Sequence, residues 1–542
     1  MPNGSAVFRM PIVLLTAWLV ASSSADVAAQ APPQDRPAPL SAMPDTLERS
    51  PTPVIVSASR GTQEVTNAGS MLNGFALDLY RRLASRPGDA NLFFSPYSVY
   101  ATLTMTAEGA RDETADEMGR ALHLPAALRR HGRDAAARPW DFAPVHAQLG
   151  QIAADLRRGA HVMPGVAARI DTLRKALAEA NRDAWQALDP RDREAAMKLA
   201  PSLAAELNAL LPQVDRYELR VANALWGDAR YALAPEFVRV LAAHYGTGGV
   251  HAVDYRHDAE GARAHINAWV AEQTAQSIHD LLPPGSVSSS TRLVLTNAIW
   301  FKGEWAEVFD ARSTRDAPFR LAGGTSAWVP LMENRLEGAR YAAFRADGSL
   351  FPTPREIGDR THDDPADPNL YPGAGGFQLA ELPYKGGGLS MVIVLPRSPD
   401  GLAALERQLD AVRLGSWIGR LEPRQTHVLL PRFRLEQGCE LRAPLETMGM
   451  VHAFVESAQF GGMSPSTNPG DALYVSTVMH RAFLEVTEKG TEAAAATGGV
   501  MEGGIRRTYP FVPTFRADRP FLLLIRDAPS GAILFMGRVT RP

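Results

Sequence analysis

One thiol, a pair of adjacent carboxylates and a scatter of imidazoles are the groups in this chain whose types suggest covalent or acid–base chemistry. Cys439, in the run EQGCEL, is the single cysteine of 542 residues and the first candidate nucleophile. A thiol becomes reactive where neighbouring cations or a helix N-terminus lower its pKa. No such pattern surrounds Cys439, and a small buried hydrophobe in a strand is the reading it supports. Asp363 and Asp364 could form an acid–base dyad, but they lie in the proline-rich run HDDPADP, which reads as a solvated loop. The thirteen histidines are too dispersed to frame a metal site. No His-Glu-x-x-His pair, Gly-x-Ser-x-Gly elbow or Gly-x-x-x-x-Gly-Lys cradle occurs. The glycine clusters at 373–376 and 386–388 lack the strand-to-helix fingerprint of a nucleotide site. No catalytic residue, metal or cofactor is expected.

A different chemistry is suggested by EKGTEAAAATGGV, from Glu488 to Val500. Four alanines favour helix, yet Gly490, Gly498 and Gly499 bound them. With the period of an extended strand, Thr491, Ala493, Ala495 and Thr497 share one face, and Glu492, Ala494 and Ala496 the other. One face is small and uncharged throughout. Such a segment could slide between two existing strands, where a bulky or charged side chain would jam or cost several kcal/mol of desolvation. The same composition also suits an exposed, frayed helix or a linker.

The rest of the chain must position that segment. Its 45% hydrophobic and 21% charged residues supply a large core. A formal charge of −3 and a pI near 6.5 argue against nucleic acid or an anionic membrane as partner. Arg9, the apolar run Met10–Ala21 and the small residues Val27 and Ala29 before Gln30 read as a signal peptide over residues 1–29. The run is shorter than the ~20 residues that span a bilayer, so a secreted or periplasmic location is expected. With one cysteine, an exported chain must be stable without an internal disulfide. Residues 30–66 read as a flexible leader, and residues 67–542 as one domain.

Within that domain Phe75, Leu77, Leu79, Tyr80 and Leu83 recur at helical spacing until Pro87-Gly88. NLFFSPYSVYATLTMTAEGA predicts a short strand, a Ser-Pro break and a helix that Ser98 caps. An Ala- and Arg-rich helical insertion occupies about 125–211, with Ile170, Leu173, Leu177, Ala184 and Leu188 on one face. An acidic, proline-rich insertion covers about 345–376. FQLAELPYKGGGLSMVIVLP predicts a strand, a turn at 386–388 and a strand. Phe521–Ile525 and Ile533–Val539 predict an apolar hairpin central in a layered α+β structure.

VMHRAFLEVTEKGTEAAAATG followed by FRADRPFLLLIRDAPSGAILFMGRV resembles the carboxyl-terminal hallmark of the serpins, the serine protease inhibitor family. FALDLYRRLA, NLFFSPYSV, GARDETADEM, RVANALWGD, INAWVAEQT, IHDLLPPGS, RLVLTNAIWFKGEW and ELPYKGGGLSMVIVLP resemble family segments in the family's order. The resemblance runs from about Leu72 to Pro542, broken by the two insertions.

It implies a serpin fold of three β-sheets with about nine helices and an exposed reactive-centre loop from Glu488 to about Thr514. It implies a protease inhibitor and no enzyme, acting as a monomer. Its target would be a serine protease, trypsin-like or elastase- or subtilisin-like, with a cysteine protease as a further class. Glu488 matches the loop-hinge glutamate, and Gly490, Thr491, Glu492, Ala493, Ala494, Ala495, Ala496 and Thr497 the inhibitory hinge. Arg432 matches the basic partner of Glu488, and Trp305 the tryptophan beneath the hinge. Asn91, Ser95, Ser98, Asn297 and His480 match a polar gate under the sheet centre. Counting forward from Glu488 puts the scissile bond at Gly504–Ile505. Counting back from RADRPFL lands near Tyr509, so the loop is longer than the family pattern on its carboxyl side. Arg506 and Arg507 between them are alternative baits. A serpin-fold carrier or structural protein whose loop is only a protease substrate is the other reading, and a hydrolase using Cys439 a third.

Overall fold

The computed structural model describes residues 68–542 apart from 86–89, 133–134, 246–248, 352–355, 358–374, 466–471 and 490–508, and much of 161–216. All of these belong to one compact unit, Ala58–Pro542. The signal and leader segments lie outside the described residues, as does most of the Ile170–Leu188 run.

The apolar hairpin forms where expected, Phe521–Asp527 pairing antiparallel with Ile533–Val539. Both strands are central in an eight-stranded sheet, with Leu92–Phe94 on one side and Leu389–Pro396 then Phe377–Pro383 on the other. Their faces are buried by the layers packed on the sheet, helices Ala68–Ala84 and Pro96–Gly109 against Ile533–Val539 and Phe301 against Phe535. The hairpin turn is closed by Gly531 at φ 70°, which a side chain would strain. Helix Ala68–Ala84 clasps that turn: Asn73 Nδ2 donates to Gly531 O at 2.9 Å, and Ile533 N donates to Asn73 Oδ1 at 2.9 Å.

Helix Pro96–Gly109 is buried over nearly its whole length. A helix enclosed on all sides must satisfy its own hydroxyls, and Thr102, Thr104 and Thr106 do so by donating to carbonyls one turn back at 3.2, 2.8 and 2.8 Å. Its cap is Ser95, whose hydroxyl accepts from Ser98 N at 3.1 Å, and not Ser98 as the sequence suggested. Pro96 decides this, since a residue before proline is driven out of the helical region and Ser95 sits extended at φ −107°, ψ 102°.

A five-stranded sheet runs in the order Phe433–Glu440, Val475–Val486, Leu293–Gly303, Tyr217–Asp228, Val250–Val253. A four-stranded sheet joins Thr514–Arg516, Thr426–Pro431, Ser326–Leu336 and Arg315–Arg320. Nine α-helices lie among the described residues. The fold is α+β with three main sheets.

Candidate functional site

Val475–Val486 and Leu293–Gly303 are parallel neighbours in the middle of the five-stranded sheet, while each is antiparallel to its other neighbour. Tyr217–Asp228 and the edge strand Val250–Val253 are parallel as well, but at the central seam one added antiparallel strand would pair with both of its neighbours, which run the same way. Parallel pairing is also slightly weaker per residue, and here the register slips between Val475 and Thr477. The seam is the natural place for a further strand.

Immediately after Val486 the chain is pinned at the top of that seam. Trp305 Nε1 donates to Thr487 O at 2.9 Å. The main-chain N of Phe309 donates to Glu488 O at 2.8 Å, and that of Trp305 to Lys489 O at 3.4 Å. The Trp305 indole is buried and stacks on Tyr384, centroids 4.6 Å apart with planes within 7°. Glu488 accepts from Arg432 Nε at 2.7 Å on each carboxylate oxygen and from Thr314 Oγ1 at 2.6 Å. Burial works against this carboxylate. The bonds from Arg432 and Thr314 outweigh it and hold the Glu488 carboxyl below the ordinary glutamate value.

Halfway down the sheet, Cys439, His480, Asn297 and Asn223 stand opposite one another in register, one per strand, forming a polar row across the seam. The Ser95-capped helix meets this row end-on. Ser95 N donates to His480 Nε2 at 3.0 Å, and Ser95 Oγ donates to Leu534 O at 2.7 Å. Ser98 Oγ donates to Asn223 Oδ1 at 2.5 Å, and Asn223 Nδ2 returns a bond to Ser98 O at 3.2 Å. Asn297 Nδ2 reaches across the seam to Met479 O at 3.4 Å. Asn297 Oδ1 and His480 Nδ1 find no partner among the described residues. Burial pushes the His480 imidazole down to about 3.

Of the residues matched to the gate, Ser95, Ser98, Asn297 and His480 lie together in this cluster, and Asn91 does not. Its side chain closes the carboxyl terminus instead, donating to Arg541 O at 2.6 Å and accepting from the main-chain N of Thr540 and Arg541. Asn91 precedes the edge strand Leu92–Phe94, which pairs with Ile533–Val539 and so sits at a sheet margin. Asn223 takes the place in the network that sequence reading overlooked. A lone amide inside the apolar strand VANALW was the available signal. Thr314 was also overlooked, and nothing local marks a threonine that meets Glu488 from 174 residues away.

Cys439 is half-buried in its strand and packs on the core. The ring nitrogen of its cross-strand neighbour His480 that could act as a base is occupied by Ser95. Gly490–Thr497, Gly504, Ile505, Arg506 and Arg507 lie outside the described residues. Glu113, Glu117 and His452 converge elsewhere, but His452 Nδ1 faces Glu117 at 2.7 Å and Nε2 faces Glu113 at 3.7 Å, so the imidazole already occupies the centre a cation would take.

A family model described as serpin (serine protease inhibitor) matches residues 70–350 and 369–542. The leukocyte elastase inhibitor of Sus scrofa is 33% identical over 474 residues, covering 86% of this chain and 97% of that protein. The leukocyte elastase inhibitor of Xenopus tropicalis is 32% identical over 481 residues, covering 88% and 100%. Among solved structures, uncleaved ovalbumin aligns over 88% of this chain and 100% of its own with a TM-score of 0.59 and 24% identity. Maspin aligns over 89% and 100% with a TM-score of 0.62 and 23% identity. These two likenesses establish the fold alone.

Proposed function

The chain belongs to the serpin family of protease inhibitors, and from that premise we propose that it is an exported suicide inhibitor of serine endopeptidases. The observation that carries the proposal is the parallel seam: Glu488 is pinned beside two central strands that run the same way, between which one antiparallel strand could pair on both sides.

The serine Oγ of a target protease attacks the Gly504 carbonyl carbon. The Gly504–Ile505 bond breaks, Ile505 leaves as a protonated amine, and an ester joins the protease to Gly504. The arm 490–504 is then free at one end. At about 3.3 Å per residue it extends roughly 50 Å, beyond the far end of the 12-residue strand Val475–Val486 beside which it would lie. Insertion therefore carries the protease across the body while the ester is intact. Adding about ten backbone hydrogen bonds at ~1 kcal/mol each supplies on the order of 10 kcal/mol, comparable to the stability of a whole domain.

The gate row lies on the path. Asn297 Oδ1 already lacks a partner among the described residues at the seam, which lowers the cost of parting the strands at that level. Gly504 suits elastase- or subtilisin-like pockets, and the elastase-inhibitor relatives favour that class. Arg506 would direct the loop to trypsin-like enzymes, with slack added to the inserting arm. Met10–Ala21 and the Val27/Ala29 frame support export to the periplasm or medium.

Purified protein incubated with elastase, subtilisin and trypsin should give a covalent band that survives SDS with at least one of them. Complete loop cleavage by all three without such a band would overturn the proposal.

A further inference from the structure

Two departures from the family pattern meet each other in this molecule. The family model leaves 351–368 unmatched, inside the acidic insertion. Counting back from RADRPFL by the resemblance also makes the loop longer than the family pattern on its carboxyl side. In the structure Glu356–Ile357, from the insertion, pair antiparallel with Tyr509–Pro510, from the distal arm of the loop: Tyr509 stands opposite Ile357 and Pro510 opposite Glu356.

Both partners are held at their bases. The insertion leaves and rejoins the eight-stranded sheet between adjacent antiparallel strands, Arg340–Phe344 and Phe377–Pro383, with Phe344 opposite Phe377. Its first residues fold back as Leu350–Phe351 against Ala343 and Phe344. Arg345 fastens that return, lying over the Phe351 ring at 5.4 Å and donating to Leu350 O at 2.8 Å. On the loop side, Phe511 is buried and Thr514–Arg516 pair with Thr426–Pro431. Gln378 Nε2 ties the two bases together, donating to Tyr341 Oη at 2.9 Å and to Thr514 O at 3.4 Å.

We propose that the insertion is a clamp on the distal arm of the bait loop, pairing with Tyr509–Pro510 so that the extra length is taken up and one bond is presented to the protease. The proposal rests on the inhibitor reading only in treating this loop as bait. Its physical content is preorganisation. With the distal anchor at Tyr509 instead of Thr514, the loop to be closed shortens, and Gly504, Arg506 and Arg507 each lie only a few residues along the chain from that anchor. Without the clamp the same residues can slide past a protease site, and the choice among Gly504, Arg506 and Arg507 passes to the protease alone. The insertion is thus a positioning element for the scissile bond.

Two variants test this by limited digestion with elastase and with trypsin, reading cut positions by mass spectrometry of the released carboxyl-terminal peptides. One replaces residues 352–374 with a short glycine–serine linker, and the other is Ile357→Pro. Cuts confined to one bond in the native protein should spread over Gly504–Arg507 in both variants, with the rate at the native bond changing by about fivefold, the scale of one lost backbone hydrogen bond. Unchanged positions and rates overturn the clamp. A third variant, Ile357→Cys with Tyr509→Cys, tests the pairing directly. Directly opposed residues stand about 4.5–5.5 Å apart, within disulfide reach. Mild oxidation should join them, and after loop cleavage the carboxyl-terminal fragment should migrate with the body on SDS gels until reductant is added; failure to cross-link overturns the clamp. None of these readouts requires a covalent protease complex. Altered cuts with no SDS-resistant band from any variant or the native protein would sink the inhibitor reading and leave the clamp. A band of equal yield with unchanged cuts would do the reverse.

Discussion

The main-chain N–H of Ser95 donates to His480 Nε2 at 3.0 Å, fastening the start of a buried helix to one strand of the parallel seam. The bond requires a neutral ring with Nε2 unprotonated, because an imidazolium would face the amide with a second donor. The start of the helix and the seam are therefore joined through a neutral His480.

That state makes stability pH-dependent in a definite direction. His480 is pushed by burial to about 3, against about 6.5 in an unfolded chain. As pH falls below about 6.5 the unfolded chain binds a proton that the native ring refuses, so the contribution is complete above that pH and lost toward 3. Its slope approaches 1.4 kcal/mol per pH unit, roughly, for one proton. His480→Gln keeps an acceptor and does not titrate. Its urea midpoint should change less between about pH 6 and pH 4 than that of the native protein; parallel curves would contradict the assignment.

Removing Arg432 should loosen the hinge more than an ordinary surface pair would allow. The Glu488 side chain is 5% exposed and would keep only Thr314 as a side-chain partner, although Arg432 is itself 46% exposed and its contribution is partly screened. A loss of about 1–2 kcal/mol is expected for Arg432→Ala, and less for Arg432→Lys. The check is the rate at which intact protein loses susceptibility to loop cleavage on standing at physiological temperature. It should rise by about tenfold in the alanine variant, and an unchanged rate would show that the ion pair does not guard the hinge.

A molecule nicked in the loop should melt above the intact one. About ten added hydrogen bonds give roughly 10 kcal/mol, and at about 2.1 cal/mol/K per residue this raises the Tm by around 10 °C. Scanning calorimetry before and after nicking measures it, and equal melting temperatures would remove the energy source from the mechanism.

Ala495→Arg should convert the inhibitor into a substrate. The substitution puts a charge on the small, uncharged face of the hinge, and burying it in the seam costs several kcal/mol. The SDS-resistant band should disappear while loop cleavage continues at its native rate. Retention of the band would show that this face does not enter the sheet.

Local patterns in the sequence disclosed much of the scaffold. Phe75, Leu79 and Leu83 marked their helix by spacing alone, and Phe521–Ile525 with Ile533–Val539 announced a buried hairpin by being apolar on both faces. Such signals survive because each is decided within a few residues. Even the cap at Ser95 was available locally, through the proline that follows it. Asn91 was misplaced for a different reason. Where the amide before a short strand points depends on what the fold brings beside it, and its partner Arg541 is 450 residues away.

The sequence by itself determined a large core and a segment at Thr491–Thr497 that is small and uncharged on one face, because composition and periodicity are properties of neighbouring residues, and the order of its motifs carried the resemblance to the family. Tertiary structure alone decided that Val475–Val486 and Leu293–Gly303 meet in parallel, that Asn223 joins Ser98 under the seam, and that Glu356–Ile357 find Tyr509–Pro510. Each depends on register between segments far apart in the chain. Register is set by how whole sheets bury their faces, and no short stretch of residues carries it.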